Sequence, residues 1–248
     1  MALFPVILFL VTALLLLSFP VKGDENQEFA ALSTALPEVQ REIVNKHNEL
    51  WRAVSPSASD MLKMEWNAAA ARNAQAWADQ CKYHHSISCG ENLFMSSAPS
   101  PWSSAIQRWY NESKYFTFNE GPLSPSEPVG HYTQQHNFRI VHGLPLLSCV
   151  SIHLEITVNN AKSKSVTFSF YVKRLKDGNN AARRYAPYKQ GAPCASCPGH
   201  CEDGLCTNGC GYENDYTNCK DLKKTMTCND PFVNNHCQAS CNCEGKIY

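Results

Sequence analysis

The sequence predicts a mixed helix-and-strand domain followed by a small module that disulfides hold together. Three apolar stripes with helical spacing occupy the first half of the chain. Further along, residues 165–172 alternate apolar and polar side chains, as a half-buried strand does. Ten of the 13 cysteines then fall between Cys194 and Cys243, which is typical of a stapled extracellular module.

The N-terminus predicts secretion. Residues 1–23 are read as a signal peptide, because the apolar run at 8–17 is too short to span a bilayer. Residues 24–35 begin with four polar residues, Asp24 to Gln27, and predict a flexible leader. No later run is long enough for a transmembrane helix, so we expect a secreted, extracellular protein. The sequon at Asn111 then predicts N-glycosylation.

The charge balance gives no indication of a nucleic-acid partner. The chain carries 22 basic and 22 acidic side chains, and its formal net charge is zero. A protein that binds phosphate backbones needs a basic surface, and no basic cluster of that size occurs here.

The three helices are predicted in order along residues 37–110. The first begins at Pro37 and carries an apolar stripe of Val39, Ile43, His47, Leu50 and Val54. The second begins after Asn67, a good N-cap residue, and presents an alanine-rich face that runs to Cys81. The third follows Pro101 and carries Trp102, Ala105, Ile106, Trp109 and Tyr110.

The cysteine-rich end has too few bulky apolar residues to fold on hydrophobic burial alone. Disulfides are the expected staples, since an even number of cysteines lies in this part of a secreted chain. A zinc site that uses the CxxC pair Cys194 and Cys197 is the alternative.

Several segments carry a resemblance to a known family. The chain resembles the mammalian cysteine-rich secretory proteins in REIVNKHNELWRAVSP (41–56), MLKMEW (61–66), CGENLFMSS (89–97), WSSAIQRWY (102–110), GHYTQ (130–134), PYKQGAPCASCP (187–198) and CEDGLCTNGC (201–210). These proteins belong to the CAP superfamily, which also includes plant pathogenesis-related proteins and insect venom allergens. The resemblance covers about four-fifths of the chain after the signal peptide.

The resemblance implies an α+β fold: an α-β-α sandwich in which helices cover both sides of a small antiparallel sheet. On this basis the chain divides into a CAP domain, a cysteine-rich hinge, a helical module related to sea-anemone potassium-channel toxins, and a short tail. Their expected bounds are 36–186, 187–209, 210–243 and 244–248.

The resemblance also implies a disulfide pairing, which spacing alone does not determine. The implied pairs are Cys194–Cys201, Cys197–Cys206, Cys210–Cys243, Cys219–Cys237 and Cys228–Cys241. In the family, Cys81 and Cys89 each bond a cysteine of the sheet, and this chain lacks those partners. Because 13 is odd, at least one thiol is free or bonded to another chain, and the pairing of Cys81, Cys89 and Cys149 stays open.

Residues 135–176 depart from the resemblance. The family has an apolar strand and further cysteines there, whereas this chain has only Cys149. The edges are sharp, since the resemblance resumes near residue 178, and this favours a shifted reading frame or an alternative exon over gradual divergence. The segment still predicts a substitute strand with an apolar face of Val166, Phe168, Phe170 and Val172.

The resemblance places four residues in one open cleft: His85, Glu91, Glu112 and His131. Two imidazoles held by carboxylates predict a zinc site at His85 and His131, with Glu91 and Glu112 in support. The same residue types suit acid–base chemistry. The alternative is structural, with both glutamates holding backbone groups. No HExxH or GxSxG motif is present, so the sequence indicates no catalytic residue.

The sequence and its resemblance favour a secreted binding and regulatory protein rather than an enzyme. The implied roles include sperm maturation, fertilisation, innate immunity and ion-channel regulation, in secretions or secretory granules. Lysines 220, 223 and 224 with Tyr212 and Tyr216 form a candidate channel-binding patch. The alternatives are a metal-dependent extracellular hydrolase, a lipid or sterol carrier, and a non-functional variant with a disrupted sheet. Trp51 is interpreted as an exposed aromatic residue or an adventitious substitution, and it receives no role.

Overall fold

The computed structural model describes residues 30–80, 84–85, 90–96, 98–136, 166–172, 185–212 and 214–248. The signal peptide, the first part of the leader, and Cys81, Cys89 and Cys149 lie outside the described residues. So does most of the atypical segment 135–176. In the described part of the chain, no helix has the length and hydropathy needed to cross a membrane.

Helix α1 (Pro37–Arg52) begins with proline at its first position, where the missing N–H costs no hydrogen bond. Glu38 lies in its first turn and Arg52 in its last, which complements the helix dipole. Its buried face confirms the predicted stripe and also contains two residues outside it. The buried residues are Val39, Ile43, His47, Asn48, Leu50 and Trp51.

Of the two alternatives for Trp51, the exposed aromatic residue is contradicted by the structure. Trp51 is 1% exposed and belongs to the main apolar core. Its ring meets the edge of the His47 imidazole, with centroids 5.9 Å apart. Trp51 directly follows Leu50 and lies outside the predicted stripe, so the helical period alone did not place it in the core.

His47 makes the stability of the domain dependent on pH. The imidazole is fully buried, its Nδ1 donates to the carbonyl of Ile43 at 2.8 Å, and burial lowers the pKa of His47 to about 4. The unfolded chain takes up a proton near pH 6.5, whereas the folded chain stays neutral there. Stability is therefore present in full above pH 6.5 and is lost as the pH falls towards 4.

We expect the free energy of unfolding to fall by about 2 kcal/mol between pH 7 and pH 5 through His47 alone. Urea titrations at both pH values measure this difference. In a His47→Gln variant the pH dependence should be smaller by that amount, although the variant is less stable at pH 7. An unchanged difference between the two pH values would contradict the assignment.

Helix α2 (Ala68–Ala78) begins where predicted, because the Asn67 side chain accepts hydrogen bonds from the N–H groups of Ala69 and Ala70 at 3.0 Å. Helix α3 (Trp102–Tyr110) buries Trp102, Ala105, Ile106 and Trp109. Glu42 of α1 accepts from the N–H of Ser103 at 2.8 Å and so joins α1 to the first turn of α3.

The last part of the predicted leader is packed, not free. Trp102 Nε1 donates to the carbonyl of Leu32 at 2.8 Å, and Leu32 and Leu36 pack against the main core. A buried indole N–H requires an acceptor, and residues 30–36 supply it. Residues 30–36 are therefore part of the packed domain, although the leader was predicted to extend to residue 35.

Strands β1 (Gly90–Ser96) and β4 (Val166–Val172) form an antiparallel pair, with Gly90 opposite Val172 and Ser96 opposite Val166. The predicted substitute strand is thereby confirmed. Helix α2 lies against β4, and α4 (Gly130–His136) lies against β1. The domain is α+β with helices on its sheet, and the atypical segment contributes a paired strand.

Two short strands complete the connection between α3 and α4. A 3-10 helix (Asn111–Tyr115) continues directly from α3, and β2 (Phe116–Thr117) pairs with β3 (Gly121–Pro122). Gly121 has φ of +100°, and a Cβ there would approach the Tyr185 ring to 2.6 Å. Only glycine fits this position, because any side chain would collide with the Tyr185 ring.

The predicted hinge is docked on the helical domain. Residues 57–63 and 189–206 form a series of backbone hydrogen bonds, which we call the docking ladder. Ser59 N donates to Lys189 O at 2.8 Å, Cys206 N to Met61 O at 2.7 Å, and Lys63 N to Cys206 O at 2.8 Å. Two surface ion pairs flank the ladder, Arg52–Asp203 and Lys63–Glu202.

Apolar contacts reinforce the docking ladder. Leu205 is 1% exposed and lies in the same core as the buried faces of α1 and α3. Leu62 packs with three buried hinge cysteines and with Ile247. Ile247 also forms a bridge with Gly209, so the residues 244–248, predicted as a tail, return to the hinge.

The terminal module consists of three short helices: α5 (Cys219–Met226), α6 (Pro231–His236) and α7 (Gln238–Asn242). The hinge hairpin β5 (Cys201–Glu202) and β6 (Leu205–Cys206) precedes it. The described residues contain five disulfides, and they are the pairs that the resemblance implies: Cys194–Cys201, Cys197–Cys206, Cys210–Cys243, Cys219–Cys237 and Cys228–Cys241.

Candidate functional site

Glu112 and His131 form a closely bonded pair at the start of α4. Glu112 Oε1 accepts from His131 Nδ1 at 2.6 Å. Glu112 Oε2 accepts from the backbone N–H of His131 at 2.8 Å and from that of Tyr132 at 3.1 Å. One carboxylate therefore caps the first turn of α4 and orients the imidazole through its Nδ1.

Local structure places this pair with little freedom. Glu112 lies in the 3-10 helix that extends α3, so the packing of α3 in the core fixes its position. The His131 ring stacks on Trp109, with centroids 6.2 Å apart and an interplanar angle of 19°. Asn92 of β1 donates to the His131 carbonyl at 2.9 Å. A strand, a helix and an aromatic face thus converge on one histidine.

The other two residues of the predicted cleft are not brought into this arrangement. His85 is exposed, and His84 Nδ1 lies 3.2 Å from its carbonyl. Glu91 lies in β1 opposite Tyr171, and its side chain is outside the described part. Among the described residues, His85, Glu112 and His131 do not form a group of three ligand atoms within 4.8 Å.

The described residues therefore supply a carboxylate–histidine pair but not a complete zinc site. Such a pair is common behind a metal-bound imidazole, because the carboxylate fixes the tautomer and leaves Nε2 as the ligand atom. A zinc site needs at least three protein ligands. The geometry realises the structural alternative for Glu112, which holds backbone groups, and we derive no metal-dependent step from it.

Replacing Glu112 by alanine should lower the free energy of unfolding by about 2 kcal/mol, because two backbone N–H groups and an imidazole lose their acceptor. Urea unfolding measures the loss. The matched control is Glu120→Ala, which removes an exposed glutamate eight positions further on and should change stability by less than about 0.5 kcal/mol. Equal effects of the two substitutions would show that the cap contributes nothing.

The zinc alternative at the CxxC motif is contradicted. The Sγ atoms of Cys194, Cys197 and Cys206 lie within 4.8 Å of one another, as the ligands of a metal would. All three are bonded in disulfides, which leaves no thiolate there to bind zinc. Their proximity instead reflects two disulfides packed side by side.

The terminal module carries the second candidate surface. Of the three exposed large apolar side chains in the described chain, two belong to it: Met226 and Phe232, each 44% exposed. Phe232 stacks on Tyr216 with centroids 5.5 Å apart and lies 4.7 Å from the His236 ring. His236 Nδ1 lies 2.8 Å from Asp215 Oδ2. We call Tyr216, Phe232 and His236 the aromatic patch.

The predicted basic–aromatic patch takes a different form. Lys220 lies over the Tyr248 ring at 5.5 Å, whereas Tyr212 packs on the Cys210 and Cys243 cluster. Tyr216 stacks on Phe232 instead. Sequence reasoning missed Phe232, His236 and Tyr248. Phe232 and Tyr248 contact residues that lie 16 and 28 positions earlier in the chain, Tyr216 and Lys220. A signal was present at Asp230-Pro231, an N-cap followed by proline, which predicts the start of α6.

Asn111 ends α3 and is exposed, which suits the predicted glycosylation site. Its Oδ1 accepts from Gln107 Nε2 at 2.9 Å. The carboxamide nitrogen, which would carry the glycan, is a separate atom. Glycosylation at Asn111 remains a prediction.

Two family models match the sequence. Residues 44–143 match the model described as "Cysteine-rich secretory protein family". Residues 194–248 match the model described as "Crisp". The residues between these matches include most of the atypical segment, together with the strand β4 that pairs with β1.

The chain is also similar to individual proteins and solved structures. It is 52% identical to human cysteine-rich secretory protein 3 over 100% of both chains. It is 40% identical to the cysteine-rich venom protein helothermine of Heloderma horridum horridum, over 91% of this chain and 93% of that one. The crystal structure of NaASP2 with Zn2+ is 22% identical, with a TM-score of 0.49, over 69% of this chain and 96% of that chain.

Proposed function

This chain belongs to the cysteine-rich secretory protein family, and from that membership we propose that it acts as a secreted, non-enzymatic binding protein. Its partner in this proposal is an extracellular or cell-surface protein, with an ion channel as the first candidate. The binding surface is the terminal module, and the helical domain serves as its rigid support.

The observation that carries the proposal is the exposure of Phe232 and Met226 on a module that disulfides hold in one shape. An aromatic side chain that is already ordered loses little entropy when it is buried by a partner. Aromatic residues are also enriched among the residues that contribute most to protein–protein affinity. Lys220 and Lys224 are exposed on α5, the helix that ends at Met226, and suit an acidic rim on the partner.

The fold decides how this proposal must be tested. Deleting residues 194–248 would remove Leu205 from the main core and Ile247 from the hinge cluster, so the remaining domain would be damaged. A loss of activity after that deletion would not distinguish binding from misfolding. A single substitution at Phe232 avoids the problem, because its side chain is exposed.

We expect Phe232→Ala to weaken binding at least tenfold, by the loss of one anchoring side chain. The measurement is the block of voltage-gated potassium currents when the purified full-length chain is applied outside the cell. The matched control is Leu123→Ala, which removes an exposed apolar side chain from the helical domain and should leave the block unchanged. No block by the wild-type chain, or equal block by all three proteins, would refute the channel assignment.

A divalent ion, with zinc as the first candidate, is a second proposal, and Glu112 with His131 supports it. In it, His131 Nε2 would bind the ion while Glu112 holds Nδ1. Equilibrium dialysis with zinc checks it: His131→Ala should abolish binding, whereas His84→Ala should leave it intact. The metal-dependent hydrolase remains an alternative function. It requires that the His131→Ala variant lose both zinc binding and hydrolytic activity.

A further inference from the structure

The two hinge disulfides are packed so closely that a thiolate released from one can attack the other. Cys194 is bonded to Cys201, and Cys197 to Cys206. The Cys194 sulfur lies within 4.8 Å of both sulfurs of the second disulfide. In thiol–disulfide exchange a thiolate attacks a disulfide sulfur directly. At this spacing the Cys194 sulfur needs only a small movement to reach the Cys197–Cys206 disulfide.

The four cysteines differ sharply in their access to solvent. Cys194, Cys197 and Cys206 are 7%, 2% and 1% exposed, whereas Cys201 is an exposed residue at the start of the β5–β6 hairpin. An incoming thiol therefore reaches the sulfur of Cys201 first. Attack on Cys201 releases the thiolate of Cys194, which lies beside the Cys197–Cys206 disulfide.

We propose that the hinge is a thiol-capture site, in which a small monothiol such as glutathione becomes bonded to Cys201 and Cys194 passes the exchange to Cys197–Cys206. This role is independent of the channel-binding proposal. It assigns a covalent modification to the two disulfides of the hinge.

Each step balances without an added oxidant. In the first, the thiolate of glutathione forms a disulfide with Cys201 as the Cys194–Cys201 bond breaks, and Cys194 leaves as a thiolate. In the second, the Cys194 thiolate bonds to Cys197 or Cys206 and releases the other as a thiolate. That thiolate takes up a proton from water, so the net change is one external thiol bound and one internal thiol produced.

The surrounding backbone favours transfer over simple return. Cys194 has φ of +63°, in the left-handed region that residues other than glycine rarely occupy, so its release permits relaxation. Cys206 is held in the docking ladder by backbone hydrogen bonds to Met61 and Lys63, which a change of disulfide partner does not break. The hinge therefore stays docked while its sulfur partners change.

The first experiment uses the full-length secreted chain and limiting reduced glutathione at pH 8 without oxygen. Acid and then N-ethylmaleimide stop the exchange, and a non-reduced peptide map gives the pairing. We expect glutathione at Cys201 at least tenfold above that at Cys219 and Cys237, whose disulfide is buried. A Cys194 cross-link to Cys197 or Cys206 should accompany it. Equal labelling of both disulfides, or a free Cys194 beside an intact Cys197–Cys206, would overturn the proposal.

A matched pair of variants tests the transfer without any reductant. In Cys201→Ala the Cys194 thiol is already released, so Cys194 should be found bonded to Cys197 or Cys206. In Cys194→Ala the remaining thiol is at Cys201, and Cys197–Cys206 should stay intact. The same pairing in both variants would contradict the transfer. Peptides that contain Cys81, Cys89 and Cys149 are scored separately in every sample.

Discussion

Removing the disulfide Cys210–Cys243 is expected to lower the free energy of unfolding by about 4 kcal/mol, the largest effect among the five disulfides of the described residues. It closes the longest loop of the five, with a sequence separation of 33 residues. A longer loop restricts the unfolded chain more, so its loss increases the entropy of the unfolded state more. Both cysteines are 2% exposed and pack with Ala239, so contacts are lost as well.

The test is urea unfolding of the double variant Cys210→Ala/Cys243→Ala, with the unfolded fraction measured by its susceptibility to proteolysis. The comparison is Cys194→Ala/Cys201→Ala, whose loop has a separation of seven residues and which should cost about 2 kcal/mol. Alanine avoids the cost of burying a serine hydroxyl. If the short-loop variant proved the less stable, loop closure would not be the dominant contribution of these bonds.

Replacing Leu205 by alanine is expected to destabilise the helical domain by about 3 kcal/mol, although Leu205 lies in the hinge. Its side chain is 1% exposed and shares a core with Ile43 and Trp102. The substitution would leave a cavity between the hinge hairpin and α1. Because the docking ladder joins both parts, they should still unfold in one transition.

The control is Leu123→Ala, which removes the same atoms from a side chain that is 65% exposed. It should change the free energy of unfolding by less than about 0.5 kcal/mol. Tryptophan fluorescence follows the unfolding of the helical domain, since every tryptophan precedes residue 110. A Leu205→Ala variant as stable as Leu123→Ala would mean that the hinge is not part of this core.

Local patterns were enough to predict the helices and the substitute strand. The stripe of α1, the Asn67 cap of α2 and the alternation in β4 each concern residues close in sequence. Trp51 shows the limit of this reasoning, because it lies beside the helical stripe and is buried by the rest of the core. The helical period identifies the main apolar face of a helix. It does not show how many residues beside that face the rest of the domain buries.

The docking ladder could not be predicted from the sequence. It pairs residues 57–63 with residues more than 120 positions away, largely through backbone N–H and carbonyl groups that every residue possesses. The Glu112–His131 pair is similar, since 19 positions separate the two residues and no periodicity joins them. The resemblance selected both residues, whereas the hydrogen bonds of Glu112 became apparent only in the fold.

Amide hydrogen exchange of the full-length protein tests the central claim that the terminal segment is docked on the helical domain as one rigid unit. The informative amides are those of Ser59, Lys63 and Cys206, which donate across the docking ladder. We predict that they exchange as slowly as the central amides of α1, because opening them requires global unfolding. Exchange of all three at the rate of an open loop would show that the hinge swings free, and would contradict this account.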